Sequence, residues 1–304
     1  MPRDPAEPAH LVARKTWRTL EPLHGMLYFA PETSSAYRLL GFDPAAGYFV
    51  TRSAPMGAVD AETVVATFFN FEPGLVRRCL EGAWSKTTPE QANAARREAA
   101  DEALRRMLGA AVDSDEMARA AGLARAAAES AARRPQGRAL FAGHAALPWP
   151  EAPHLVLWHA QTLLREFRGD GHVAALVTHG IGPVEALVLH GASGEVDPGS
   201  LRATRGWPDA EWEAAVGRLV DRGWLAIDRS GSAAGDGEPG LTEEGVLLRS
   251  AVEDLTDRLA AEPYEALGAE ACGELRALAR PFSRTVVASS SPGPLGGGAA
   301  GDRR

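Results

Sequence analysis

The sequence predicts a mostly α-helical protein whose C-terminal part is a winged helix, an α+β module with a small β-hairpin wing, joined to a helical N-terminal subdomain. Three observations predict it. Apolar residues recur at helical spacing along most of the chain; Thr, Ser and Pro–Glu pairs mark where those runs begin; and the C-terminal half closes with the order helix, strand, turn, strand, helix. The boundaries follow from composition: a flexible start at 1–10, a mainly helical subdomain at 11–134, a packed linker at 135–153, the winged-helix subdomain at 154–283 and a disordered tail at 284–304.

In chain order, "TTPEQANAARREAADEALRRML" places Thr88 as a cap, Pro89 at the first helical position and Gln91 to complete a capping box, so a helix is expected over 89–108. A second, Ala-rich helix starts after Ser114 with Asp115 and Glu116 in its first turn and ends near 133–135; it reads as a surface or interdomain helix. The Pro- and Gly-rich stretch "RPQGRALFAGHAALPWPEAP" is the linker. Beyond it come a helix over about 155–168, a turn at Gly169–Gly171, a short helix over 171–179 and another from Pro183 to about His190. The segment "PDAEWEAAVGRLVDRGWLAI" sets Trp212, Val216, Leu219 and Val220 on one face and leads into a strand at 224–227. The hairpin tip "DRSGSAAGDGEPG" follows, and Thr242 then caps a long amphipathic helix. The tail from Arg284 through "SSSPGPLGGGAAGDRR" lacks the apolar surface to offset its ordering entropy.

Length and composition narrow the function. With 304 residues, 45% of them hydrophobic, the chain can bury a substantial core. A formal charge of −8 argues against bulk attraction to nucleic acid or anionic lipid. Cys79 and Cys272 are far apart in apolar helical runs and read as reduced, structural thiols. No export signal and no membrane-length apolar run stand out, so the expected compartment is the cytoplasm.

The blocks "EPLHGMLYFAPE", "GYFVTRSAPMGAV", "ATFFNFEP", "LWHAQTLLREFRGDGHVAAL" and "RGWPDAEW" resemble an actinobacterial helix-turn-helix family of SalK-like proteins, over about 11–282. The phrase "LVDRGWLAID…GLTEEG" is also similar to the recognition-helix and wing segment of MarR-type regulators, over about 210–260. The resemblance implies a helix-turn-helix fold, and a fold name is not an activity. The helix expected in the major groove argues against direct DNA reading: Asp209, Glu211, Glu213 and Asp221 stand against Arg218 and Arg222, and the wing adds Asp228, Asp236 and Glu238 against Arg229. Paired arginines at 77/78, 96/97, 105/106 and 133/134 alternate with acids and read as solvated helix surface.

Two polar groups are candidate sites. One is "LLREFRGDGHVAAL", where Thr162, Arg165 and Glu166 share a helical face and Arg168, Asp170 and His172 surround two glycines; it reads either as a cap with a salt bridge or as part of a pocket. The other is the N-terminal block, where Glu21, His24, Tyr28 and Glu32 recur every three or four residues, and where Arg52 needs a carboxylate, Glu21 or Glu32, or an anionic ligand. Metal-ligand spacings and the common catalytic signatures are missing: His172 and His179 lie about 10 Å apart along a helix, too far for one ion. The expected function is therefore binding of a small polar or anionic molecule between the two subdomains, as sensor or enzyme, with Glu21, His24, Tyr28, Arg52, Thr162, Arg165, Arg168, Asp170 and His172 as candidate ligand contacts. No metal or cofactor is named by the sequence, a homodimer is left open, and the alternative is a helix-turn-helix transcriptional regulator that binds DNA.

Overall fold

The computed structural model describes residues 7–227 and 239–289. The first six residues, the hairpin tip at 228–238 with the wing acids and Arg229, and the tail beyond 289 lie outside the described residues. The N-terminal half runs α1 (Ala9–Gly25), α2 (Pro31–Leu39), α3 (Pro44–Ser53), α4 (Ala61–Thr67), α5 (Pro73–Leu80), α6 (Ala83–Lys86), α7 (Pro89–Leu108), α8 (Asp115–Ala131) and α9 (Ala139–Ala145). The second half runs α10 (Pro153–Thr178), α11 (Pro183–Ala192), α12 (Pro198–Arg205), α13 (Asp209–Asp221), β1 (Leu225–Ile227), β2 (Pro239–Leu241), α14 (Glu243–Leu259), α15 (Glu262–Leu267) and α16 (Ala269–Ser289). The strands β1 and β2 pair antiparallel, Leu225 opposite Leu241. Among the described residues no single helix is long and apolar enough to cross a membrane.

Local signals set many of these boundaries. The Thr88 hydroxyl accepts the Gln91 N–H and the Gln91 side chain accepts the Thr88 N–H, a full capping box at the start of α7. Ser114 caps α8 and Thr242 caps α14 in the same manner.

Three apolar clusters hold the chain together. The largest draws on α1, α7, α8, α10, α15 and α16, and so takes residues from both sides of 135–153. A second joins the end of α10 to α11, α12, α13, β1 and α14, and a third fills the space between α3, α4, α5 and α7. The Ala-rich α8, expected as a surface or interdomain helix, is not at the surface but packs as a core helix on α10, α15 and α16. Ala120, Ala124, Ala127, Ala128 and Ala131 are buried, and such short side chains let the backbones of α8 and α10 approach closely.

Further expectations need correction. There is no turn at Gly169–Gly171, because α10 continues unbroken for 26 residues. Each glycine costs a helix about 1 kcal/mol, but packing recovers this: a Cβ on Gly171 would stand 2.9 Å from Arg138 Nη1 and 3.2 Å from Leu259 Cβ, so glycine is what lets α9 and α14 close on α10. Val220, expected on the buried face of α13, is exposed, while Trp212 and Leu219 are buried. Finally, α16 extends to Ser289, into the segment read as tail.

Candidate functional site

The polar residues of α10 leave the helix in three directions, because three different elements pack around it. Toward α1 and α3 it offers Thr162, Arg165 and Glu166. The Glu166 carboxylate, almost fully buried, accepts Arg52 Nη2 at 3.2 Å and Arg165 Nη1 at 3.1 Å. Arg165 Nε also reaches Glu21 Oε1 at 2.8 Å, and the other Glu21 oxygen accepts from Trp17 Nε1 at 3.1 Å. Arg52 Nη1 donates to the Tyr48 hydroxyl at 2.6 Å, and its guanidinium lies 4.6 Å from the centroid of Phe68. The partner foreseen for Arg52, Glu21 or Glu32, is thus Glu166 instead; Glu32 pairs with Arg106 on α7.

A hydrogen-bond chain crosses this network. The Thr162 hydroxyl gives its proton to the Trp158 carbonyl at 2.9 Å, so its oxygen is left to accept from His24 Nδ1 at 2.8 Å. His24 Nε2 is then the acceptor for the Tyr28 hydroxyl at 2.9 Å. This assigns the Nδ1–H tautomer and a neutral ring. The electrostatics agree: burial first, then the positive charge of Arg165 and Arg96, holds His24 well below its ordinary value. Burial alone would raise the Tyr28 hydroxyl, but Arg165, Arg52 and Arg96 outweigh it and leave it lowered. Burial likewise opposes ionisation of Glu166, yet Arg52 and Arg165 bring it down to about 2.

Arg96 is the residue sequence reasoning missed. Beside Arg97 its charge reads in sequence as solvated, but it is 4% exposed, and among the described residues none of its three guanidinium nitrogens has a hydrogen-bond partner. The signal was present, since Arg96 falls on the same face of α7 as Ala92, Ala99, Ala100 and Ala103, all buried. Its guanidinium lies 5.8 Å from the Tyr28 ring and 5.9 Å from Trp158. In the same region Trp158 Nε1, Arg52 Nε and His144 Nε2 are also buried without hydrogen-bond partners among the described residues. Burial and the charge of Arg96 push His144 down to about 3, so it adds no cation of its own. Counted as charges, Arg52, Arg96 and Arg165 face Glu21 and Glu166, an excess of one before the surroundings are considered. Such an assembly can hold an anion against a wall of tyrosine and tryptophan rings.

The remaining candidates lie elsewhere. Arg168 points to α14, where it meets Asp257 at 2.6 Å and Glu253 at 2.9 Å, with its guanidinium over Trp17. His172 contacts Thr256 on the same helix at 3.0 Å. Neither reaches the N-terminal block, and Arg168 is not paired with Asp170. Asp170 is indeed a helix cap, but of α9 rather than of its own helix: its carboxylate accepts the Phe141 N–H at 3.0 Å. Burial raises it to about 6. Beside it Arg138 donates to the carbonyls of Phe167 and Leu259. Among the described residues no group of His, Cys, Asp and Glu is placed to hold a metal ion.

A family model described as a helix-turn-helix family matches residues 13–292. No curated protein and no solved structure matches the chain. Matched over nearly its whole length, the chain belongs to this helix-turn-helix family.

Proposed function

We propose that the chain, a member of the helix-turn-helix family, binds a small anionic molecule at the Arg52–Arg96–Arg165 cluster, as a sensor or an enzyme. One observation carries this reading: the Arg96 guanidinium is buried with none of its nitrogens bonded among the described residues. An ionised group removed from water without a partner costs several kcal/mol, and such groups are kept where something else, a ligand included, completes them. The wall of Tyr28, Tyr48 and Trp158 suits a compact molecule, and His24 with Tyr28 can hold or pass a proton at its edge.

The test is thermal melting with and without inorganic phosphate, at constant ionic strength, in wild type and Arg96→Gln. Phosphate should raise the wild-type midpoint in a saturable manner. The variant should melt no lower than wild type when alone, since a lone buried charge is gone, and should lose the response to phosphate. A variant that melts far lower and responds normally would make Arg96 a structural residue and end the reading.

Family membership supports a second reading more directly, namely DNA binding. On this reading α11, α12, α13, β1, β2 and α14 make up a winged helix similar to that of MarR-type regulators, with α13 as the recognition helix. Against it, Glu211, Glu213 and Asp221 lie on the exposed side of α13, while Arg218 is taken by Glu185 at 2.8 Å and Arg222 by the Gly180 carbonyl at 2.9 Å. A mobility shift with duplex DNA from upstream of the gene, at low and high salt, separates the two: a specific, salt-sensitive complex supports DNA binding, and its absence leaves the anion reading alone.

A further inference from the structure

The turn between α12 and α13 is docked on α5 and the residues just before it, next to the aromatic wall of the arginine cluster. Gly206 has φ +76°, and a Cβ there would stand 2.9 Å from Leu75 Cδ2, so the turn lies flat on α5. The Glu72 N–H donates to the Arg205 carbonyl at 2.9 Å, and Trp207 Nε1 donates to the Asn70 carbonyl at 2.8 Å. The Arg205 side chain then turns inward. Its guanidinium lies 4.8 Å from the Phe71 ring; Phe71 is 5.6 Å from Tyr48; and the Tyr48 hydroxyl holds Arg52.

Arg205 has no carboxylate partner among the described residues. Its one hydrogen bond runs to the neighbouring Thr204 hydroxyl at 2.7 Å. The nearby Glu72 is occupied, since its two oxygens accept the N–H groups of Gly74 and Leu75 at 2.6 Å each. Burial, together with the charge of Arg52, lowers the Arg205 guanidinium from its ordinary value, which agrees with the chain of ring contacts that links it to Arg52. Of the four arginines Arg52, Arg96, Arg165 and Arg205, Arg52 and Arg165 are paired, with Glu166 and Glu21, and Arg96 and Arg205 have no carboxylate partner among the described residues: four cations to two directly paired anions.

We propose that the ligand is a dianion, of the phosphate monoester or dicarboxylate class, whose second charge is received by Arg205, so that occupancy of the site is reported to the turn between α12 and α13. This rests on the anion-binding reading above. The charge count favours two negative charges over one, because a monoanion would leave one buried guanidinium uncompensated. The position favours regulation: Arg205 is the last residue of α12, and whatever draws its side chain inward acts on the adjoining turn.

The experiment is calorimetric titration of wild type, Arg205→Gln and Arg205→Lys with inorganic phosphate at pH 8, with succinate and with acetate, alongside hydrogen exchange of residues 204–209. Wild type should bind phosphate or succinate well above acetate, and whichever of the two binds tighter names the class. Arg205→Gln should weaken the dianion about tenfold or more, the value of a charge-assisted hydrogen bond, and leave acetate unchanged. Arg205→Lys should recover most of the difference. The 204–209 amides should gain protection on phosphate binding in wild type and not in Arg205→Gln. Equal affinity for mono- and dianions, an unaffected Arg205→Gln, or phosphate binding with no change at 204–209 would each overturn this inference while sparing the site. No binding of any anion to wild type would instead remove the anion reading itself.

Discussion

Replacing Glu166 by Gln should be the most destabilising isosteric change in the cluster. Its carboxylate is almost fully buried and accepts from Arg52 and Arg165 together. The magnitude follows from linkage. The group's ordinary value is 4.5 and its folded value about 2, a difference of about 2.5 units, or about 3 kcal/mol at 1.36 kcal/mol per unit. Breaking a buried pair by removing one partner gives the same range, about 3–5 kcal/mol. A carboxylate lowered by folding contributes stability that is complete above pH 4.5 and is lost as pH falls through about 2. At pH 3 about 2 kcal/mol should already be gone, from the 1.5 units between 4.5 and 3. Urea denaturation of wild type and Glu166→Gln at pH 7 and pH 3 reads this directly. The gap between the two proteins should be about 3 kcal/mol or more at pH 7 and clearly narrower at pH 3. A gap under about 1 kcal/mol at neutral pH, or one of the same size at both, would refute the account of Glu166 as the charge that keeps Arg52 and Arg165 buried.

Asp170 should behave with the opposite sign. Folding raises it, so its contribution falls as pH rises through about 6; Asp170→Asn keeps an acceptor for the Phe141 N–H, and its stability relative to wild type should climb between pH 4 and pH 7 in the same denaturation assay. A flat difference would mean the carboxyl is not held in its neutral form. Trp212→Ala should cost about 3–5 kcal/mol, since the indole is 3% exposed, and a loss under about 1 kcal/mol would remove it from the core that orders α13. Gly245→Ala should fold poorly, because the new Cβ would lie 2.1 Å from the Trp224 carbonyl oxygen at the start of α14; normal expression and melting would show that β1 and α14 are less closely apposed than the structure has them.

What could be read from the sequence was what is decided locally. The capping box of Thr88 and Gln91, the Ser114 and Thr242 caps, and the order from α13 through β1 and β2 to α14 depend on residues a few positions apart. What failed was decided by neighbours distant in sequence. Gly169–Asp170–Gly171 has the composition of a turn, but it stays helical because α9 and α14 close on Gly171. Asp170 caps a helix that begins 31 residues earlier, and no spacing rule connects it to Phe141. Glu166, rather than Glu21 or Glu32, pairs with Arg52 across 114 positions. Arg96 differs in kind: its alanine neighbours mark the buried face, while its charge and the adjacent Arg97 point the other way.

The density of charge in the middle of α10 has a physical reason in the packing around it. An α-helix turns by about 100° per residue, so successive polar residues on a buried helix face different neighbours and each must find its own partner. Glu166 meets Arg52, Arg168 meets Asp257 and Glu253, Asp170 meets the Phe141 N–H, and His172 meets Thr256. One rigid element is thereby pinned to α3, to α9 and to α14 within two turns. Since α14 also belongs to the apolar cluster of α11, α12, α13 and β1, α10 ties that module to the arginine cluster from one side while Arg205 ties it from the other. On the anion-binding proposal, a module held at two points to a buried cation cluster is mechanically suited to follow that cluster's occupancy, whichever partner its exposed, acidic α13 meets.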